Sequence, residues 1–240
     1  MTSVHQVSRI SVCMATYNGD KFIGRQLQSI LSQLSETDEV VISDDGSTDN
    51  TRNVIDSLAD NRIKFFINQG RKGPVGNFEN ALCQASGELI FLADQDDVWL
   101  SDKVSVTRSL LANCDLVLAD CEVIDSTGKV IQPSFFQFRK SGRGFWRNLL
   151  KNSYMGCCMA FRREVLDYVL PIPQQVHMHD WWIGLLLEAK GSVLLYNKPL
   201  IRYVRHGSNA SPTGETGYGF SKQLLNRILL LANVAKRLLA

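Results

Sequence analysis

Three short polar clusters hold the residues best suited to chemistry: Ala15-Thr16-Tyr17-Asn18-Gly19, Ser43-Asp44-Asp45-Gly46-Ser47-Thr48-Asp49 and Ala93-Asp94-Gln95-Asp96-Asp97. The last places three carboxylates, Asp94, Asp96 and Asp97, within four residues. Like charges that close cost stability unless a cation or a hydrogen-bond network compensates them. A hard divalent ion with oxygen ligands is the simplest compensation. A solvated acidic turn, with Ser101 capping the next helix, is the plainer reading. Position favours the cation, because the cluster directly follows the apolar run Leu89–Ala93.

Each cluster ends a segment that reads as a strand. Apolar runs at Ile10–Ala15, Val40–Ser43, Ile63–Ile67 and Leu89–Ala93 alternate with helix-period segments at Phe22–Leu34, after Asp49 as N-cap, and around Asn77–Ala85. Strand and helix in this rhythm predict a parallel sheet flanked by helices, with ligands bound beyond the carboxyl ends of the strands. All three clusters then converge on one edge. Neither G-x-G-x-x-G nor G-x-x-x-x-G-K-[ST] is present, which speaks against a dinucleotide dehydrogenase or a P-loop ATPase. A nucleotide could instead be held by carboxylates reading its base and ribose, with a metal on its diphosphate.

The second half predicts a helix near Asp102–Leu111, strands at Leu116–Leu118 and Glu122–Ile124, a turn at Asp125-Ser126-Thr127-Gly128, and a basic stretch from Arg139 to Lys151. A strand at Cys157–Phe161, a helix at Trp181–Ala189, strands at Val193–Tyr196 and Ile201–Val204, and a terminal helix from Phe220 complete the pattern. The Gly/Ser/Thr/Pro-rich segment Gly207–Gly219 reads as a loop.

Composition sets outer bounds. The 240 residues are 45% hydrophobic and 21% charged, with 26 Lys+Arg against 24 Asp+Glu and a net charge of +2. This excludes a disordered chain, a collagen-like chain or a disulfide miniprotein, and gives no global reason to expect nucleic acid as partner. No run reaches the ~18–20 apolar residues of a membrane span, and the start lacks the apolar core of a secretory signal. A cytoplasmic protein is expected. Six cysteines, Cys13, Cys83, Cys114, Cys121, Cys157 and Cys158, form no C-x-x-C pair and read as reduced core residues.

Taken together, Ser11–Asn18 (SVCMATYN), Val40–Thr51 (VVISDDGSTDNT), Phe91–Trp99 (FLADQDDVW) and His179-Asp180-Trp181-Trp182 resemble the family 2 glycosyltransferases, which have a GT-A type fold. The DQDDVW form and the later Arg205-His206-Gly207-Ser208-Asn209 look most like the bacterial rhamnosyltransferase-like subgroup that builds surface polysaccharides. The resemblance spans residues 9–206. It implies that Ala15, Thr16, Tyr17 and Asn18 line a nucleotide pocket and that Asp44 accepts from the base N–H. Asp94 and Asp96 match the D-x-D motif, whose second carboxylate meets Mn²⁺ or Mg²⁺, and Gln95 and Asp97 extend it towards the sugar. Lys72 or Arg71 falls where relatives place a basic group near the nucleotide. Asp180 occupies the general-base position, with a helix N-cap as the structural alternative. His206 could supply a third metal ligand or touch the diphosphate, or be a satisfied structural residue, and His179 stands behind the site.

Other features remain open in sequence alone. Trp99, Trp181 and Trp182 could stack on sugar faces or pack in the core. Gly156-Cys157-Cys158-Met159 matches the strand that borders the donor sugar in relatives, with core packing as the default. Arg139, Lys140, Arg143, Arg147 and Lys151 cluster with Phe145 and Trp146. The terminal helix pairs Lys222, Arg227, Lys236 and Arg237 with Leu224, Leu225, Ile228, Leu231, Val234 and Leu238. Such a helix could lie on an anionic membrane or pack on the core or a second copy.

The expected architecture is α/β: a GT-A-like, Rossmann-type mixed and mostly parallel sheet flanked by helices over residues 1–206, a loop at 207–219 and a basic amphipathic helix at 220–240. The expected function is metal-dependent, inverting transfer of a sugar, first choice rhamnose from dTDP-rhamnose, onto a growing surface polysaccharide or lipid-linked saccharide. The alternatives are another donor such as a UDP-hexose, a nucleotide-sugar-binding partner subunit without turnover, or a membrane-surface scaffold. The site of action is then the cytoplasm, with peripheral contact at the inner face of the membrane.

Overall fold

The computed structural model describes residues 8–206 and 219–239. Five apolar runs become fully or nearly fully buried strands: β1 (Ile10–Thr16), β2 (Glu39–Asp44), β4 (Leu89–Asp94), β6 (Leu116–Asp125) and β8 (Met159–Arg162). With β3 (Ile63–Ile67), β5 (Val98–Trp99), β7 (Val130–Gln132) and β9 (Val193–Arg205) they form a nine-stranded sheet, ordered β3-β2-β1-β4-β8-β6-β9-β5 with β7 beside β6.

The first four strands pair in parallel, as the alternating pattern predicted. Their connections are the helices α1 (Ile23–Leu31), α2 (Thr51–Ser57) and α3 (Pro74–Gln84). In α1 the apolar stripe Ile23, Leu27 and Ile30 is buried, while α3 starts on a proline behind Gly73, a favourable first-turn residue. Direction reverses at β8, which runs antiparallel to both β4 and β6, so the sheet is mixed.

Several boundaries differ from the sequence reading. Residue Asp49 accepts from the Thr51 N–H at 3.0 Å and Oγ1 at 2.5 Å, yet the N-cap position of α2 is Asn50. The helix α4 (Lys103–Leu111) is capped at Asp102, not Ser101. The two short strands predicted on each side of residues 119–121 are one strand, β6, and those around residues 197–200 are one strand, β9. Here β6 and β9 pair in parallel through register shifts at Ala119, Asp120 and Cys121, opposite a segment containing Pro199. A bulge tolerates proline and turn-forming residues inside a strand, which made these look like breaks. The strand predicted from Cys157 begins at Met159, because Gly156–Cys158 forms a 3₁₀ turn. A turn does join β6 to β7: Gly128, with φ at +86°, donates to the Asp125 carbonyl at 3.0 Å.

The remaining helices are α5 (Phe135–Arg139), α6 (Phe145–Leu150), α7 (Leu166–Val169), α8 (His179–Lys190) and α9 (Phe220–Leu239). Here α8 is buried through most of its length, with Trp181 and Trp182 wholly enclosed. Their indole N–H groups donate to the Asn148 and Val169 carbonyls. Trp99 is likewise core, so all three tryptophans pack rather than present a sugar platform. Five of the six cysteines are buried and all are unpaired, but Cys83 is exposed on α3.

Two arginines tie α9 to the core: Arg227 donates to the Leu150 carbonyl, and Arg237 to the carbonyls of Tyr168, Leu170 and Pro171. Leu230 and Val234 are buried beneath it. Of the loop expected at Gly207–Gly219, all but Gly219 lies outside the described residues. Among the described residues no helix is long and apolar enough to cross a membrane.

Candidate active site

Parallel register brings the three polar clusters together: Thr16 stands opposite Asp44, and Ala15 opposite Asp94. Beyond this edge the loops are stitched by side chains. The Asn18 N–H donates to Ser47 Oγ at 2.9 Å, and its own Oδ1 accepts from the Thr48 N–H at 2.9 Å. Asn18 holds φ at +47°, a left-handed conformation that asparagine tolerates. Towards β4, Gln95 Oε1 accepts from Thr16 Oγ1 at 2.6 Å and from the Tyr17 N–H at 3.0 Å, while its amide donates to the Tyr17 carbonyl at 3.1 Å. Gly19 lies so close to the Gln95 amide that any Cβ would collide with it. Tyr17 is left half exposed at the rim.

On the β2 side, Asp44 is buried and closes its own turn, accepting from the N–H groups of Gly46 and Ser47 at 3.0 and 2.8 Å and from Ser47 Oγ at 2.5 Å. Neighbouring Asp45 accepts from Asn68 Nδ2 and the Gly73 N–H, at 2.9 and 2.7 Å. Lys72 lies on this rim with its ammonium 2.7 Å from the Asn68 carbonyl and 3.5 Å from Asp45 Oδ1. The Arg71 guanidinium turns away to the Pro173 and Val176 carbonyls.

The carboxylate cluster follows at the end of β4, next to the first loop. Asp96 Oδ2 lies 2.9 Å from His206 Nε2, and the His206 ring stacks on Phe22 at 4.3 Å, so the end of β9 delivers a nitrogen donor to the D-x-D loop. Asp97 is fully buried; Oδ1 accepts from the Val204 N–H at 3.2 Å, and Oδ2 is buried with no hydrogen-bond partner among the described residues. Asp94, Asp97 and Cys157 can each bring one donor atom within 4.8 Å of the others. Burial, with the charges of Asp96 and Asp180 adding to it, pushes the Asp94 carboxyl up to about 7. Burial and the charges of Asp94 and Asp96 hold Asp97 well above the ordinary carboxylate range. Lys103, itself buried, donates to the Cys157 carbonyl at 3.3 Å behind this cluster and lies 4.8 Å over the Trp99 ring.

Asp180 is the second residue of α8, whose N-cap is Met178, so it stands inside the first turn rather than at the cap. Its Oδ1 accepts from the Trp181 N–H at 2.7 Å. Burial pushes its carboxyl up to about 6, against the opposing pull of backbone N–H groups including that of Gly156. Beside it, His179 stacks on Phe78 at 4.0 Å, its Nε2 is buried without a partner, and burial pushes it down to about 3, so the ring is neutral. A Cβ on Gly156 would stand 2.8 Å from that nitrogen, so the small residue there sets the approach of the turn to α8.

The fold thus brings together Ala15, Thr16, Tyr17, Asn18, Asp44, Asp94, Gln95, Asp96, Asp97, Asp180 and His206, with Lys72 on the rim. Sequence reasoning missed Phe22 behind His206, Gln26, whose Nε2 holds the Asp94 carbonyl at 3.0 Å, and the place of Cys157 beside two aspartates. The run of small residues at Gly156–Cys158 was the one signal for the last of these.

Residues 11–170 match the family described as glycosyl transferase family 2. The chain is 30% identical to the Escherichia coli UDP-Glc:alpha-D-GlcNAc-diphosphoundecaprenol beta-1,3-glucosyltransferase WfgD, over 78% of this chain and 73% of that one. It is 28% identical to the Shigella flexneri dTDP-rhamnosyl transferase RfbG, over 82% of this chain and 72% of that one. Among solved structures, Staphylococcus aureus TarS 1-349 in complex with UDP superposes with a TM-score of 0.71 at 20% identity, covering 94% of this chain and 65% of that one. That likeness shows a GT-A-like fold. The matched span runs from β1 through α7, across all three polar clusters at the strand ends, and on this ground the chain belongs to glycosyl transferase family 2 and is a glycosyltransferase.

Proposed function

We propose that the chain transfers a hexose or deoxyhexose from a nucleoside diphosphate donor to a saccharide carried on a lipid diphosphate, with inversion at the anomeric carbon. The observation that carries this reading is the pairing of the crowded Asp94-Asp96-Asp97 cluster and His206 with a single, separately held carboxyl at Asp180, all at the carboxyl edge of the sheet.

The donor set fits a divalent cation such as Mn²⁺ or Mg²⁺: the carboxylates of Asp94 and Asp96 with the imidazole of His206, whose Nε2 lies 2.9 Å from Asp96 Oδ2. Asp96 and His206 would hold the ion, with Asp94 beside them. When bound, the cation offsets charge developing on the departing diphosphate. The loops at Ala15–Asn18 and around Asp44 flank the position of base and ribose, and Lys72 adds a positive charge at the rim. Asp180 accepts the proton of the acceptor hydroxyl as its oxygen bonds to the anomeric carbon, and the bond from that carbon to the diphosphate oxygen breaks, releasing the nucleoside diphosphate. A carboxyl near 6 is ionised at neutral pH yet basic enough to take that proton.

For the donor, the DQDDVW form and the similarity to RfbG favour dTDP-rhamnose. The similarity to WfgD supports UDP-glucose as the second reading, and both relatives' names suit a nucleotide donor. A panel of nucleotide sugars, each tested for thermal stabilisation and slow hydrolysis with and without Mn²⁺, decides between them. Selective stabilisation by one donor that requires the ion supports the reading. Stabilisation by none, or equally in chelator, overturns it.

A further inference from the structure

We propose that α6 and α9 together form a docking face for an anionic lipid bilayer. The face joins two stretches that sequence alone leaves separate. Arg227 of α9 donates through two nitrogens to the Leu150 carbonyl at the end of α6, fixing one helix beside the other. The side of α9 that meets the core is narrow, with Leu230 and Val234 buried. Its opposite side is nearly all apolar: Leu224, Leu225, Ile228, Ala232, Ala235 and Leu239 face outward at helical spacing. Exposure there is large, at 48% for Leu224, 53% for Leu225 and 55% for Ile228, and α6 adds Trp146 at 67% and Leu150 at 68%. A solvated helix places polar residues on that side, so among the described residues this face lacks a partner.

Charge identifies the partner. Residues 126–163 contain no Asp or Glu, and neither do residues 219–239. The two acid-free stretches meet at this seam, and Arg147, Lys151 and Lys222 are exposed on them, with Lys236 exposed at the far end of α9. The acid beneath α6, Glu188, is engaged by the Gly144 N–H and the Tyr154 hydroxyl. Exposed aromatic and aliphatic side chains edged by cations, with no acid among them, suit insertion at an anionic headgroup surface. A second copy would bring like charges face to face. Position agrees: α9 packs on the start of α8 through Arg227 over the Trp181 ring, next to Asp180, so a bilayer here would lie on the acceptor side of the site.

The face stands or falls independently of the donor chemistry, because its test needs no turnover. The full chain is sedimented with vesicles of phosphatidylcholine and phosphatidylglycerol, and with phosphatidylcholine alone, at low and high salt. The expected result is salt-sensitive binding to the anionic vesicles only. The triple variant Trp146→Ser/Leu150→Ser/Ile228→Ser should keep its circular dichroism and thermal midpoint and lose binding on the order of tenfold or more. The pair Lys151→Gln/Lys222→Gln should weaken binding and flatten its salt dependence. Binding that ignores lipid charge, binding unchanged in the triple variant, or no binding at all overturns the proposal. So does light scattering that finds a dimer dissolved by the triple variant without vesicle binding, which would make the face a contact between copies.

Discussion

Replacing Asp180 with asparagine separates chemistry from structure more sharply than any other change in this chain. Burial raises its carboxyl from 3.8 to about 6, so folding is opposed by its ionisation: the folded state holds the proton more tightly than the unfolded one. Its stability penalty is absent below the unfolded value, grows as pH rises through the folded value, and is complete at neutral pH. At ~1.36 kcal/mol per pKa unit that penalty has an upper bound of about 3 kcal/mol. Asparagine removes it while its oxygen can still accept from the Trp181 N–H. Asp180→Asn should therefore be as stable as wild type or more so at pH 7, the difference closing below about pH 4. An amide cannot take the acceptor's proton, so transfer should fall by about 10²–10⁴, or roughly 3–5 kcal/mol in activation free energy. In the wild type the acid limb of kcat/KM should titrate near 6, with roughly nine-tenths of full activity at pH 7. Transfer assays, donor affinity and thermal unfolding on one preparation decide it. Near-normal turnover, or loss of activity that follows a fall in Tm, would refute the role of Asp180 and move the search to Asp97.

Three further outcomes follow from the same geometry. Calorimetric titration of UDP or dTDP should show binding that requires Mn²⁺ in the wild type and loses that requirement, with most of its affinity, in Asp96→Ala; equal affinity in chelator and in Mn²⁺ would contradict the metal assignment. Gly156→Ala sets a methyl group against the His179 ring and next to Asp180, so transfer should drop at least tenfold with the fold retained by circular dichroism; unchanged turnover would contradict that placement. Glu39 lies at the other end of the sheet, where burial would raise its carboxyl but hydrogen bonds from Lys64, Ser11 and Ser86 outweigh it and hold it near 2. A depressed value adds stability that is present above the unfolded value and lost as pH falls through the folded one, so Glu39→Gln should lower Tm at pH 7 and the deficit should shrink towards pH 2.

Much of the fold was legible because in the first half parallel strands are continuous apolar runs, buried in β1, β2 and β4 and partly exposed in the edge strand β3, and all four fall within two residues of their sequence-derived limits. Legibility failed where tertiary pairing overrode local signals. A proline and turn-forming residues in β9 look like a break, but the long partner β6 absorbs them as bulges. The carboxylate motifs were readable because three acids after an apolar strand conflict with ordinary surface design. Cys157 was legible only as part of a small-residue strand near the site, because nothing in a thiol among such residues specifies the aspartates it faces. Helical spacing alone does not separate the inner from the outer apolar residues of the terminal helix: Val234 turns into the core with Leu230, while Leu224, Leu225 and Ile228 stay exposed.

The central claim is that this site moves a sugar rather than merely holding a nucleotide. Its most direct test is mass spectrometry of a GlcNAc-diphospho-lipid acceptor incubated with the chain, Mn²⁺ and, separately, dTDP-rhamnose or UDP-glucose. The expected product is heavier by one deoxyhexose or one hexose, formed with one donor, dependent on the divalent ion and absent in Asp180→Asn. Donor binding without any acceptor modification, under conditions where ion and lipid are both present, would contradict it and leave a nucleotide-sugar-binding subunit in its place.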